Sequence, residues 1–399
     1  MEKRNLLRSQ IVLVFVLAIL MSVPSYAGEV RGVTGDTIKI GLITDLTGPV
    51  AMFLVTYANS HRDYFRLVNE EGGIHGRKIK LIVEDDRYSI PTAIAAFKKL
   101  AYRDEVLCIS GPGGTGQHTA LFSQFEKSKM PSFGITISPI MFTPYKRYVF
   151  APPGDYWDFA GVAYDYIVNK MEVNDPKIAI ARPDTEGGKV FAAGAKKWAG
   201  FFNQKYYEEI VAVGAIDVTS QVLCLKANGI NNVLVGALPT PEVALILSTG
   251  KRFQYFPNVW GIHYGCGEDA IERAGATARN YYGLHAFSQW YDDTPEMKKV
   301  REAFLRYRPK SKPPVNYYQM AWYWGVIISE GLKRAGREVD GEKLVDALET
   351  LRDFDTGGIC GPVTYTPKSH KATNYCRIFK TDMEKKRLVA VTGWIKPAE

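Results

Sequence analysis

With 399 residues, of which 46% are hydrophobic and 12% aromatic, the chain carries ample core material, and disorder is excluded. It is also too long for one ordinary core and should divide into two domains. The formal net charge of +8 is spread along the sequence without a block of like charges, so it reads as solvated surface and no nucleic-acid partner is expected.

The first residues set the expected compartment. Lys3, Arg4 and Arg8 precede an unbroken apolar run, residues 11–21, and Ser25 and Ala27 are small residues before a cut. A charged segment, an apolar segment and a small-residue site together predict a secretory signal, residues 1–27, cleaved after Ala27, and a periplasmic product. The apolar run is too short for a bilayer span, which takes roughly 20 residues. The residue directly after Ala27 is Gly28, not a cysteine that could take a lipid, and without residues 1–27 the net charge is +6. Five cysteines then face an oxidising compartment.

In chain order, residues 38–43 read as a strand and 54–69 as a helix with Val55, Ala58, Phe65 and Val68 on one face. Residues 78–84 are again extended. Pro91 opens the next helix, in which Ala93, Ala96, Phe97 and Leu100 recur at helical spacing. A strand at 106–110, a glycine loop, a helix at 117–127 and a strand at 131–135 follow. Strict alternation of strand and helix predicts a parallel sheet covered on both faces. After the break at Pro152, Pro153 and Gly154 the pattern restarts. Helices are expected at 156–171, 188–204, 219–228 and 241–250, and strands at 177–181, 209–213 and 232–236. This second unit shows no sequence repeat of the first. A strand at 281–287 leads into three helices, Pro295–Tyr307, Tyr317–Ala335 and 340–351, which lack a sheet of their own and must pack on an existing lobe. Extended runs at 361–365 and 374–379 flank a turn and predict a hairpin, and residues 387–394 predict a last strand. Cys360 and Cys376 then come close enough across that hairpin for a disulfide. Cys108 and Cys224 read as buried small hydrophobes, and Cys266 falls in a loop.

The loop after the strand at 106–110 holds Gly111, Gly113 and Gly116 in a G-x-G-x-x-G spacing. A dinucleotide turn also needs an acidic residue about 20 positions on for the ribose. Thr136, Ile137 and Ser138 stand there instead, so no nicotinamide cofactor, or any other, is expected. Two readings stay open. Backbone N–H groups at the following helix start can hold an anion, with Thr115, Thr136 and Ser138 adding hydroxyl donors. Alternatively the glycines only permit a tight strand-to-helix turn.

The segments "NEEGGIHGRKIKLIVEDDRY" from Asn69, "IKIGLITDLTGPVA" from Ile38, "VLCISGPGGTG" from Val106 and "GPVTYTPKSH" from Gly361 together resemble the leucine/isoleucine/valine-binding proteins, the type I solute receptors of ABC importers. The resemblance covers essentially all of the chain after residue 27. It implies an α/β fold of two Rossmann-like lobes with parallel-rich sheets, joined by a three-stranded hinge, with the ligand in the cleft between them. The lobes expected are residues 28–150 plus 287–355, and 151–286 plus 356–399.

The resemblance places a carboxylate-holding loop at Thr115 and a second strand-end contact at Thr136, Ile137 and Ser138. It places an aromatic contact at Phe53 and a side chain over the cleft at Tyr317, beside Asn316 and Tyr318. The sequence departs from the family at Glu186, where a tyrosine is usual, and at His263 and Tyr264, near which an acidic partner for a ligand ammonium would fall. Glu186 is a candidate replacement for that acid. These departures leave room for carboxylates other than branched-chain amino acids, aromatic acids included.

No catalytic constellation competes. The six histidines show no metal-binding spacing, and no Gly-x-Ser-x-Gly elbow is present. The expectation is therefore a monomeric, exported substrate-binding protein that captures a small carboxylate and delivers it to an inner-membrane ABC permease. A ligand-sensing module of a signalling system, using the same cleft, is the alternative.

Overall fold

The computed structural model describes residues 30–314 and 316–398; the expected signal, residues 1–27, lies outside them. In the first lobe β1 (Thr37–Thr44) pairs in parallel with β2 (Lys78–Asp85) and with β3 (Cys108–Ser110). β4 (Ser132–Phe133) and β5 (Val149–Phe150) extend the sheet in parallel, giving the order β2-β1-β3-β4-β5. Covering helices are α1 (Ala51–Glu70), α2 (Ile90–Tyr102) and α3 (Thr115–Ser128). The interior strand β1 is buried almost throughout, as a strand covered on both faces must be. Gly41 lets α2 lie close to it: an added Cβ would stand 3.0 Å from Leu100 and 3.1 Å from Ile109.

The second lobe opens with α4 (Tyr156–Asn169). Asp155 caps it by accepting from the N–H groups of Trp157 and Asp158, while Asp158 accepts from the N–H of Asp155. β6 (Ile178–Arg182), α5 (Glu186–Phe201), β7 (Tyr207–Ile210), α6 (Thr219–Ala227), β8 (Asn232–Val235), α7 (Thr240–Arg252), β9 (Asn258–Ile262), α8 (Asp269–Ala274) and β10 (Tyr281–His285) then alternate. β11 (Arg377–Asp382) and β12 (Arg387–Ala390) add antiparallel to the edge, and the sheet runs β12-β11-β10-β9-β8-β6-β7. Its parallel part, β7-β6-β8-β9-β10, repeats the strand order of the first sheet, although no sequence repeat was visible.

Three elements escaped the sequence reading, the first being β5 with only 2 residues. β9 is buried without alternation and carries Gly261, whose added Cβ would stand 1.9 Å from the Gly265 carbonyl, so periodicity gives no signal there. α8 has only 6 residues. β7 also sits earlier than the expected 209–213.

Helices α9 (Pro295–Tyr307), α10 (Tyr317–Ala335) and α11 (Gly341–Leu348) return to the first lobe. α10 lies along α1: the Ser60 hydroxyl donates to the Tyr318 carbonyl at 2.7 Å, and Asp63 accepts from the Tyr318 hydroxyl at 2.9 Å. Between the lobes, Ala151 bridges Lys371 and Phe287 bridges Cys360, so chain segments crossing the molecule lie side by side. Lys371 anchors this region with its ammonium 2.6 Å from both Asp155 and Asp158.

The cysteines correct two expectations. All five are free, so the Cys360–Cys376 bond is not formed. Their strands do pass one another, since the Thr364 N–H donates to the Ala372 carbonyl at 2.9 Å, yet the cysteines bridge elsewhere, Cys360 to Phe287 and Cys376 to Ile395. Cys224 is exposed rather than buried.

Candidate functional site

Parallel sheets present their binding loops at the C-terminal ends of the strands, above the point where the strand order reverses. In the first lobe that point lies between β1 and β3, and in the second between β6 and β8. The loops from all four strands meet in one cleft of about 250 Å3. This size is at or below the small end of ordinary ligand pockets, so a small solute fits.

The β3 loop supplies Gly113, Thr115, Gly116 and Gln117, where α3 begins. Gly114 precedes the helix in extended conformation, and no side chain caps the helix start. Helix starts of this kind attract anions through their free N–H groups and positive dipole end. Thr115 at this start and Thr136 at the β4 end hold their hydroxyls 2.6 Å apart. Across the seam, α5 also points its N-terminus at the cleft through Thr185, Glu186 and Gly187. A Cβ on Gly187 would stand 2.9 Å from the Tyr156 hydroxyl and 3.4 Å from the Thr115 hydroxyl, so the two lobes meet here with room only for glycine.

Aromatic rings make the rest of the wall. Phe53 stacks on Tyr317 with centroids 5.3 Å apart, and Tyr317 stacks on Tyr264 at 5.7 Å. Tyr156 meets Tyr264 edge-on at 6.5 Å. The Tyr264 hydroxyl donates to the Ile135 carbonyl at 3.0 Å, a bond from one lobe to the other. Burial pushes the phenols of Tyr156, Tyr264 and Tyr317 well above their ordinary range, so all three stay neutral. Among the described residues no lysine or arginine lines the cleft, and its only acid is Glu186.

Of the residues expected from the sequence, Phe53, Thr115, Thr136, Glu186, Tyr264 and Tyr317 line this cleft together. Ile137, Ser138 and His263 do not. Ile137 is buried behind the wall, its carbonyl accepting from the Tyr156 N–H at 3.0 Å. Ser138 is fully enclosed with its hydroxyl unbonded. His263 is a packing ring: it is 1% exposed and lies against Phe159 and His285, and burial drives its pKa well down. Glu186 reaches the rim, but its side chain is 65% exposed and stands 3.5 Å from the Lys189 ammonium. Tyr88 and Tyr156 line the cleft unforeseen. Tyr88 sits in a loop at φ 55°, which nothing in its sequence neighbourhood signals. Tyr156 had a signal, the Asp155/Asp158 capping pair that starts a helix immediately after the break between lobes.

The geometry agrees with the comparisons. The sequence model described as periplasmic binding protein matches residues 37–387. A leucine-, isoleucine-, valine-, threonine-, and alanine-binding protein of Pseudomonas aeruginosa is 26% identical over 327 residues, covering 80% of this chain and 84% of its own. Among solved structures, a branched-chain amino acid ABC transporter protein from Thermus thermophilus with bound valine superposes with a TM-score of 0.84 at 21% identity, over 91% of this chain and 97% of that one. A fatty acid ABC transporter substrate-binding protein from Thermomonospora curvata also gives 0.84 at 21% identity, over 94% and 96%. These structural likenesses establish the fold. No described helix is long and apolar enough to cross a membrane. The chain belongs to the periplasmic binding protein family, with leucine/isoleucine/valine-binding proteins among its relatives.

Proposed function

We propose that this protein is an exported receptor that captures a small carboxylate lacking a free amine between its lobes and delivers it to an inner-membrane ABC permease. The observation carrying this reading is the pairing of two helix N-termini with an aromatic wall in a cleft that has no cationic side chain among the described residues. The head group lies on the Thr115 hydroxyl and the N–H groups at the start of α3. The apolar body packs on Phe53, Tyr317, Tyr264 and Tyr156.

An amino acid would also bury an ammonium, and a buried charge without a partner is costly. Glu186, the one acid available, is exposed and already faces Lys189. The fatty acid named for the Thermomonospora neighbour is likewise a carboxylate without an amine. Closure supplies the transport signal: contacts such as Tyr264 to Ile135 exist only when the lobes meet, so ligand binding energy shifts the balance toward the closed form.

The test is a thermal-shift screen of purified protein against aromatic acids, short aliphatic acids and branched-chain amino acids. A tight ligand at about 100 times its Kd adds ~2.7 kcal/mol. Stabilisation by simple acids and not by amino acids supports the reading. Preferential stabilisation by leucine, isoleucine or valine overturns it.

A further inference from the structure

A second and larger cavity, of about 650 Å3, opens behind the cleft, between α8 of the second lobe and the start of α10. Its chemistry is opposite to that of the cleft. Glu268 and Asp269 at the head of α8 and Gln319 on α10 line it. One side-chain oxygen of each, Glu268 Oε1, Asp269 Oδ1 and Gln319 Oε1, is enclosed without a hydrogen-bond partner. Gln319 itself is only 1% exposed.

Two amide donors on the same walls are already committed. Asn316 Nδ2 donates to the carbonyls of His263 at 2.9 Å and Cys266 at 2.5 Å. Gln289 Nε2 faces Cys266 Sγ at 3.7 Å and His285 Nδ1 at 3.3 Å. Lys312 and Lys386 also line the cavity; both are exposed, and Lys312 stands 3.7 Å from Glu272. The walls thus carry three unpaired acceptors, two of them on carboxylates, with the aromatic side chain of Trp290 beside them. A buried acceptor left unpaired is destabilising, and a ligand bringing N–H donors relieves that cost.

We propose that this rear cavity is a second binding site, for a small organic cation with at least two N–H-bearing ends, a diamine by class. Glu268 and Asp269 take the charged ends, Gln319 accepts a further N–H, and Trp290 covers the chain. The site also reaches across the molecule. α8 belongs to the second lobe, whereas α10 packs on α1 of the first. Asn316 and Tyr317 are neighbours on one turn, the first lining the rear cavity and the second the cleft. A diamine tying α8 to α10 therefore holds the lobes in the arrangement that positions Tyr317, and linkage requires cleft and cavity to strengthen each other's binding.

Calorimetric titration of 1,4-diaminobutane into the purified full chain, at fixed ionic strength, tests the site. The expected result is saturable one-site binding with a change in tryptophan emission. Glu268→Gln and Gln319→Met should each weaken it ~10-fold or more, the loss expected for one hydrogen bond to a charged group. Asp175→Asn, an 81% exposed acid outside the cavity, should leave it unchanged. Glu268→Gln keeps the side-chain shape, so it reports even if Gln319→Met fails to fold. No saturable heat up to about 10 mM, far weaker than a Kd of 1 mM, would overturn the proposal. So would equal effects of Glu268→Gln and Asp175→Asn. Such failure leaves the cleft reading intact, because neither Glu268 nor Gln319 lines the cleft.

Discussion

Replacing Thr115 by valine removes one hydroxyl at nearly constant volume and tests the proposal that the cleft holds an anion there. The Thr115 and Thr136 hydroxyls are 2.6 Å apart, so one of the two protons is spent on their mutual bond. Thr136 is the deeper, at 1% exposure against 9% for Thr115. The economical arrangement has Thr136 donating to Thr115 and Thr115 donating to the ligand. Thr115→Val then deletes a hydrogen bond to a charged group, about 1.5–3 kcal/mol, and should raise Kd roughly 10- to 150-fold. Thr136→Val leaves the Thr115 proton on the ligand and should cost less than about 10-fold, by loss of polarisation alone. Calorimetry with the acid that most raises the melting temperature measures both, and thermal unfolding of the free variants checks that each is folded. Equal losses, or a larger loss for Thr136→Val, would refute the donor order. Unchanged affinity in both variants would remove the anion from these loops.

Four further outcomes are expected. Tyr317→Leu breaks stacking with both Phe53 and Tyr264, contacts worth about 0.5–1.5 kcal/mol each, and calorimetry should show a larger loss for aromatic than for aliphatic acids; equal losses would deny the ring a role in the cleft. Gly187→Ala places a methyl 2.9 Å from the Tyr156 hydroxyl, so small-angle scattering with saturating acid should show incomplete closure, and full closure would contradict the tight seam. The buried rings of His61 and His118 are pushed down to about 3, and His285 to about 4, chiefly by desolvation, against an ordinary value of 6.5. A depressed folded value means the unfolded chain binds protons first, so stability is full above pH 6.5 and falls as pH drops toward those folded values, by about 2 kcal/mol per histidine near pH 5; denaturant unfolding that is flat from pH 8 to pH 5 would oppose this. Finally, unfolding without reductant should let all five thiols alkylate, and a blocked Cys360–Cys376 pair in mass spectrometry would contradict the free thiols.

The alternation of strands and amphipathic helices was enough to read two α/β units, because β1, β2, α1 and α2 each carry their own periodicity or cap. β9, buried without alternation, gave no periodic signal, and with it the position of His263 at its end was not legible. The place of Thr115 and Thr136 in the cleft wall was readable because hydroxyls stood where a nucleotide site needs an acid. Tyr88 was not, since its place in the cleft depends on a left-handed turn held by Asp86, whose carboxylate accepts from the Tyr88 N–H at 3.0 Å. Neighbours in sequence can also diverge: Thr136 faces the cleft while Ile137 and Ser138 face the protein interior.

The most direct measurement is a calorimetric comparison of one apolar body with and without an amine, 3-phenylpropanoate against phenylalanine, with 4-methylpentanoate against leucine as the aliphatic pair. In each pair the acid should bind and the amino acid should be weaker by about 100-fold or more, equivalent to ~2.7 kcal/mol for an ammonium buried without a partner. An amino acid that binds as tightly as its deaminated counterpart would show that the cleft does supply a cation partner, and the reading of its chemistry would be wrong.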